Sequence, residues 1–139
     1  MISPAVPAGA VALGLNLITP TRIYDSRVGQ PPVTPNIPKT QINGQNRNVF
    51  IDDSAATIPI TAAAVLGNIT LTNNSAPVFL TCYAEGSSQP STSTVNAGSA
   101  FMTIANSFTS KLSTDNFTTM VVNCGGGPTD FIADIFGYY

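Results

Sequence analysis

The residues of this sequence best suited to chemistry are Arg22, Asp25, Arg27 and Asp134, together with the tyrosines beside them. They lie in two short apolar segments, Pro20 to Arg27 near the start and Ile132 to Tyr139 at the other end. The chain holds only five basic and seven acidic residues in 139, so four in these two segments are placed rather than merely solvating. Guanidinium and carboxylate groups form bidentate forks with each other and with ligands. One reading is therefore a structural clasp, in which Asp25 or Asp134 accepts both hydrogen bonds of an arginine and ties the first strand to the last. The other makes the same groups a site for sugar or carboxylate, with Tyr24, Tyr138 and Tyr139 as ligand platforms. The clasp is the simpler of the two.

Other reactive constellations are scarce. The sequence contains no histidine, which removes the usual nucleophilic triads and most zinc sites. Asp52-Asp53 is the only adjacent acidic pair, and with Ser54 behind it reads as a turn or helix cap rather than a catalytic pair. No Asp-x-Asp-x-Asp loop suggests calcium. No catalytic, cofactor-binding or metal residue is expected, and the protein reads as a non-enzyme. Cys82 and Cys124 match no metal or redox spacing. Each ends an expected strand, so they form a disulfide if those strands are neighbours and two buried thiols otherwise.

The elements that must position these groups are strands. A chain of 14.4 kDa suits one domain. A hydrophobic fraction of 43% excludes compositional disorder. A net charge of −2 with five scattered basic residues leaves no footprint for nucleic acid or an anionic membrane. Short β-rich runs recur at Arg22 to Asp25, Asn48 to Ile51, Val65 to Thr72, Val78 to Tyr83, Ala100 to Asn106, Phe108 to Leu112, Phe117 to Cys124 and Asp130 to Phe136. Within Asn68-Ile69-Thr70-Leu71-Thr72, the aliphatic residues alternate with polar ones, as in an antiparallel sheet wet on one face. Gly, Asn, Ser and Pro clusters between the runs suit tight reversals. The fold expected is an all-β antiparallel sandwich or jelly-roll-like single domain.

Three segments stand apart. Met1 to Thr19 is apolar, carries no Lys or Arg, and is interrupted by Pro4, Pro7, Gly9 and Gly14. It lacks the basic start of a signal peptide and the length of a membrane helix, and reads as an extended arm against a neighbouring subunit, leaving 20–139 as the domain. Ser54 to Val65 is Ala-rich but broken by Pro59, so only a short turn or 3₁₀ segment is expected. Val28 to Arg47 holds four prolines and reads as a long surface loop. Three Asn-x-Thr/Ser matches, at Asn68, Asn73 and Asn116, are read as surface polarity.

The two end segments also carry a resemblance. Pro-x-Arg, two apolar residues, Asp-Ser-Arg-x-Gly at Pro20 to Gly29 resembles the opening of a β-domain of bacterial, notably actinobacterial, secreted and surface proteins, where copies accompany cell-wall enzymes or occur in tandem. Ile58-Pro59-Ile60, the strand Ala64 to Thr72, Tyr83, Asn96, Ala105-Asn106 and the closing Ile132 to Tyr139 follow in the same order. Cys82, Cys124 and the apolar arm depart from that pattern. The resemblance covers about residues 18–139 and implies a domain type and an extracellular or surface setting, with no established catalytic or ligand residues.

The functional expectation joins these readings. A low-charge β-domain with an apolar arm suits a bacteriophage structural protein, a capsid decoration or cement protein on the virion surface. It would bind the major capsid protein or another virion protein as a homotrimer whose arm links subunits. The alternative is an adhesion or carbohydrate-binding module at a cell wall or phage tail, facing a cell-surface glycan, with Tyr83 a further platform.

Overall fold

The computed structural model describes residues 14–32, 37–51, 58–113 and 118–139. Eight strands occur in order: β1 (Asn16–Asp25), β2 (Asn46–Phe50), β3 (Ala64–Thr72), β4 (Val78–Ala84), β5 (Val95–Ala97), β6 (Ile104–Lys111), β7 (Thr119–Gly126) and β8 (Asp130–Tyr138). They form two four-stranded antiparallel sheets, β1-β8-β3-β6 and β2-β7-β4-β5. The protein is an all-β sandwich, and no helix occurs among the described residues.

Side-chain alternation fixes which face of each sheet meets the other. In β3, Val65, Gly67, Ile69 and Leu71 are buried, while Leu66, Asn68, Thr70 and Thr72 are half-exposed. In β8, Phe131, Ala133, Ile135 and Gly137 take the inner face, and Asp134 and Phe136 the outer. The second sheet supplies Val49, Leu80, Met120, Val122 and Cys124 to the same core. Burial of such aliphatic and aromatic side chains contributes about 1.5–3 kcal/mol each relative to exposure.

Several expectations are corrected by this architecture. β1 begins at Asn16, so residues 16–19, assigned to the arm from sequence, belong to a strand; residues 1–13 lie outside the described residues. The runs at Ala100 to Asn106 and Phe108 to Leu112 merge into the single strand β6, and β5 was not anticipated. Val28 to Arg47 is not wholly a surface loop. Ile37 and Ile42 are core residues, Ile42 forms an isolated bridge with Thr129, and Asn46-Arg47 open β2. Asp52-Asp53 and residues 54–57 of the Ala-rich segment lie outside the described residues; the rest of that segment forms a turn, with the Ala62 N–H donating to the Pro59 carbonyl at 3.0 Å, before β3 begins at Ala64.

The cysteines sit on neighbouring strands but in unmatched register. Leu80 faces Cys124 and Cys82 faces Val122 across β4 and β7, which makes the two cysteines diagonal neighbours. Diagonal Cβ atoms are about 7–8 Å apart, whereas a disulfide needs about 3.5–4.5 Å. Both are free thiols. Burial pushes the Cys82 thiol up to about 12, against a smaller opposing effect of Thr94, and raises Cys124 as well.

Candidate functional site

β1, at the edge of the first sheet, runs antiparallel to β8, with Arg22 opposite Asp134 and Asp25 opposite Ile132. A bulge between Arg22 and Tyr24 inserts Ile23 as an extra residue. It brings Arg22 and Asp25 to the same side of the strand although they are three apart, an offset that regular alternation would send to opposite faces.

The four charges consequently form one line. Arg27 donates to Asp25 through Nε at 3.0 Å and Nη2 at 2.6 Å, and its backbone N–H adds a third bond at 3.0 Å. Arg22 Nη1 lies 3.7 Å from Asp25 Oδ2, the oxygen that also accepts from Arg27 Nη2. The same arginine forks onto Asp134, Nε to Oδ1 at 2.9 Å and Nη2 to Oδ2 at 3.3 Å. Only the Arg22–Asp134 fork joins two strands; the Asp25–Arg27 fork is local to the turn after β1. Burial acts to raise the Asp25 carboxyl, but the Arg27 bonds and the nearby guanidinium charges outweigh it and hold the group below the usual aspartate range. The hydrogen bond to Asp134 raises Arg22 above its ordinary value, burial opposing.

Beneath this line the interior is unexpectedly polar. Tyr24 is fully buried, its ring tilted against Phe131 with centroids 4.9 Å apart, so it is not available as a ligand platform. Its hydroxyl donates to the Pro38 carbonyl and accepts from Arg47 Nη1 at 3.0 Å. Arg47, also buried, spends its remaining donors on Thr40 and on the Gln41 carbonyl. Lys39 Nζ donates to the carbonyls of Asp25 and Pro32 and sits 5.7 Å from the Tyr24 ring centroid. Burial lowers the Lys39 ammonium from its ordinary value, with Asp25 opposing. These contacts fasten residues 37–41 across the end of β1, which is why Ile37 and Ile42 reach the core. Sequence reading missed Arg47 and Lys39 because most of their partners are backbone carbonyls, which leave no trace in residue types.

A second, partly buried knot gathers on Asp130 at the start of β8. Asp130 accepts from Ser26 Oγ at 2.7 Å, Asn73 Nδ2 at 3.0 Å and Gln41 Nε2 at 3.5 Å. Four of the five basic residues and Asp25, Asp130 and Asp134 thus serve one end of the domain.

Above the Arg22–Asp134 fork, the outer face of the first sheet is open. Arg22, Asp134, Asn68 and Phe136 line a groove of about 680 Å³, with Gln30 and Pro31 on its wall. Asn68, Asp134 and Arg22 are register partners in a row across β3, β8 and β1. Tyr138 and Tyr139 do not line the groove; they pair with Asn16, Val65 and Ala64 at the far end of the sheet. The aromatic residue on the groove is Phe136. Among the described residues no group of three His, Cys, Asp or Glu side chains is placed to hold a metal ion.

Compared with protein-family models, curated proteins and solved structures, the chain gives no match.

Proposed function

We propose that this protein is a non-enzymatic structural component of a surface assembly, a phage capsid decoration protein that joins as a homotrimer and binds the shell through contact area rather than chemistry. The observation that carries the reading is the outer edge of β1. Among the described residues β1 ends the first sheet and pairs with β8 on one side only. Its first half is largely exposed, with Leu17 at 72% and Leu15 just before it at 44%. The residues that lead into it, Met1 to Leu13, are uncharged and mostly apolar. A bare apolar strand edge is a liability for an isolated protein and a template for a neighbour's strand. The likeness of the two end segments to a bacterial surface β-domain agrees with an exposed setting.

Light scattering on the full chain tests this. A mass threefold that of the 14.4 kDa chain, reduced to a monomer by Leu15→Asp with Leu17→Asp at unchanged melting temperature, supports it. A wild-type monomer at concentrations up to about 100 μM, where specific contacts of useful affinity are populated, overturns it.

A second reading, an adhesion module, is favoured by a different observation: the open groove over Asn68, Asp134 and Arg22.

A further inference from the structure

We propose that this groove on the outer face of the first sheet binds a neutral saccharide. The inference deepens the adhesion reading and is independent of trimer or shell, so a monomeric protein that binds sugar would remove the first reading and keep this one.

The chemistry of the lining selects the ligand class. Arg22 brings a positive charge, but its Nε and Nη2 are committed to Asp134 and its Nη1 stands 3.7 Å from the Asp25 carboxylate, close enough for charge pairing without a hydrogen bond. Asp25 is in turn paired with Arg27. The line of charges is self-neutralised: an anionic ligand approaching Arg22 meets the Asp134 carboxylate beside it, and takes the Nε–Nη2 fork only by displacing Asp134 from a bidentate pair, which is among the stronger hydrogen-bonded pairs. A neutral ligand faces no such exchange. It can use the lone pairs that Asp134 keeps free, since an ionised carboxylate has about four acceptor positions.

Two amides complete the polar lining. Neither the Asn68 nor the Gln30 side chain forms a hydrogen bond among the described residues, and both line the groove. Each offers a donor and an acceptor, set beside a carboxylate that accepts and a guanidinium that donates. Alternating donors and acceptors at side-chain spacing match adjacent hydroxyls, each of which both donates and accepts. Asn68 stands opposite Asp134 on neighbouring strands, so the pair is held on rigid backbone rather than on a loop.

The apolar part of the lining has a complementary form. Phe136 points outward beside this row, and Pro31 also lines the groove. The π face of the aromatic ring and the apolar proline ring suit the C–H-bearing face of a sugar ring. Ring stacking beneath with hydrogen bonds at the rim is the usual economy of small-ligand sites. The groove volume of about 680 Å³ falls within the range of about 300–1,000 Å³ typical of such sites.

Saturation-transfer-difference NMR on the full chain tests the proposal. The probes are cellotetraose, chitotetraose and mannotetraose, with tetragalacturonate and a proline decamer as controls, each at about 1 mM, where the weakest specific ligands bind. Saturable transfer to at least one neutral probe is expected. Asn68→Ala and Phe136→Leu should each weaken it about tenfold, because one removes a paired amide and the other the ring face. Phe136→Tyr, which keeps the ring, should retain binding, and all three variants should show the wild-type far-ultraviolet spectrum. No saturable binding to any neutral probe overturns the proposal. So does binding that survives both Asn68→Ala and Phe136→Leu, or binding restricted to tetragalacturonate or to the proline peptide.

Discussion

Ser26 and Phe131 grip each other in both directions: the Ser26 N–H donates to the Phe131 carbonyl at 3.0 Å, and the Phe131 N–H donates to Ser26 Oγ at 2.9 Å. A side-chain oxygen thus continues the β1–β8 ladder one step past the end of β1, and its own proton goes to Asp130 at 2.7 Å. All of this is buried. Ser26→Ala leaves a buried backbone N–H without its acceptor and Asp130 without one donor. The expected loss is about 2–3 kcal/mol, read as a shift of the urea midpoint at unchanged slope. A loss below about 0.5 kcal/mol would show that water replaces the hydroxyl.

Gly67 marks the closest approach within the first sheet. A Cβ there would stand 2.3 Å from the Asp134 carbonyl oxygen and 2.9 Å from Ile135 Cδ1. The first contact is backbone and cannot rotate away. Gly67→Ala should therefore push β3 from β8, at a cost of about 3 kcal/mol. The same variant should blunt any saccharide binding, because it moves Asn68 relative to Asp134.

Arg47 is buried against neutral acceptors only: the Tyr24 hydroxyl, the Thr40 and Gln41 carbonyls and the Thr40 hydroxyl. Arg47→Met keeps most of the side-chain volume and leaves those acceptors unsatisfied. It should cost about 2–4 kcal/mol and loosen residues 37–42, visible as accelerated amide exchange at Ile42. Unchanged exchange at Ile42 would separate the arginine from the anchoring of that segment.

Acid sensitivity follows from Asp25. Its folded-state carboxyl lies below the ordinary aspartate value of about 3.9, because the Arg27 bonds outweigh the upward effect of burial. The stabilisation is therefore complete above that ordinary value and is lost as pH falls through it toward the lower folded-state value. Wild type should melt progressively lower from about pH 5 to pH 2, whereas Asp25→Asn should begin lower at neutral pH and decline less. Parallel curves would assign the acid limb to other carboxylates.

Much of this architecture was legible in the residues. The alternation of Ile69 and Leu71 with Asn68, Thr70 and Thr72 gave the inner and outer faces of β3 directly, and the placement of Arg22 and Asp134 at the two ends of the chain foreshadowed their fork. What stayed hidden depended on partners that sequence does not specify. Val95–Ala97 is too short to display a period of two. Phe101 adopts a left-handed backbone with φ near 60° while 87% exposed, held there because Asn74 accepts its N–H and that of Met102; nothing in its type signals this. Tyr24 looked like a platform because tyrosines beside charges often are, yet the bulge after Arg22 turns it into the core. Phe136, in the same end segment, was passed over in favour of Tyr138 and Tyr139 because only register shows which aromatic stands over Asp134.

The Phe101 geometry carries its own expectation. Left-handed backbone costs a bulky residue about 1–2 kcal/mol that glycine does not bear. Phe101→Gly should raise the unfolding free energy by about 1 kcal/mol, measured by denaturant titration. No gain would mean that the exposed ring recovers the cost through contacts within the domain.

Asn16 and Tyr138 are register partners at the open end of the β1–β8 ladder. Entry into the folded body and exit from it therefore occur side by side, only a strand spacing apart. A body with that geometry can be grafted into the loop of a carrier, between two consecutive residues, without stretching either partner.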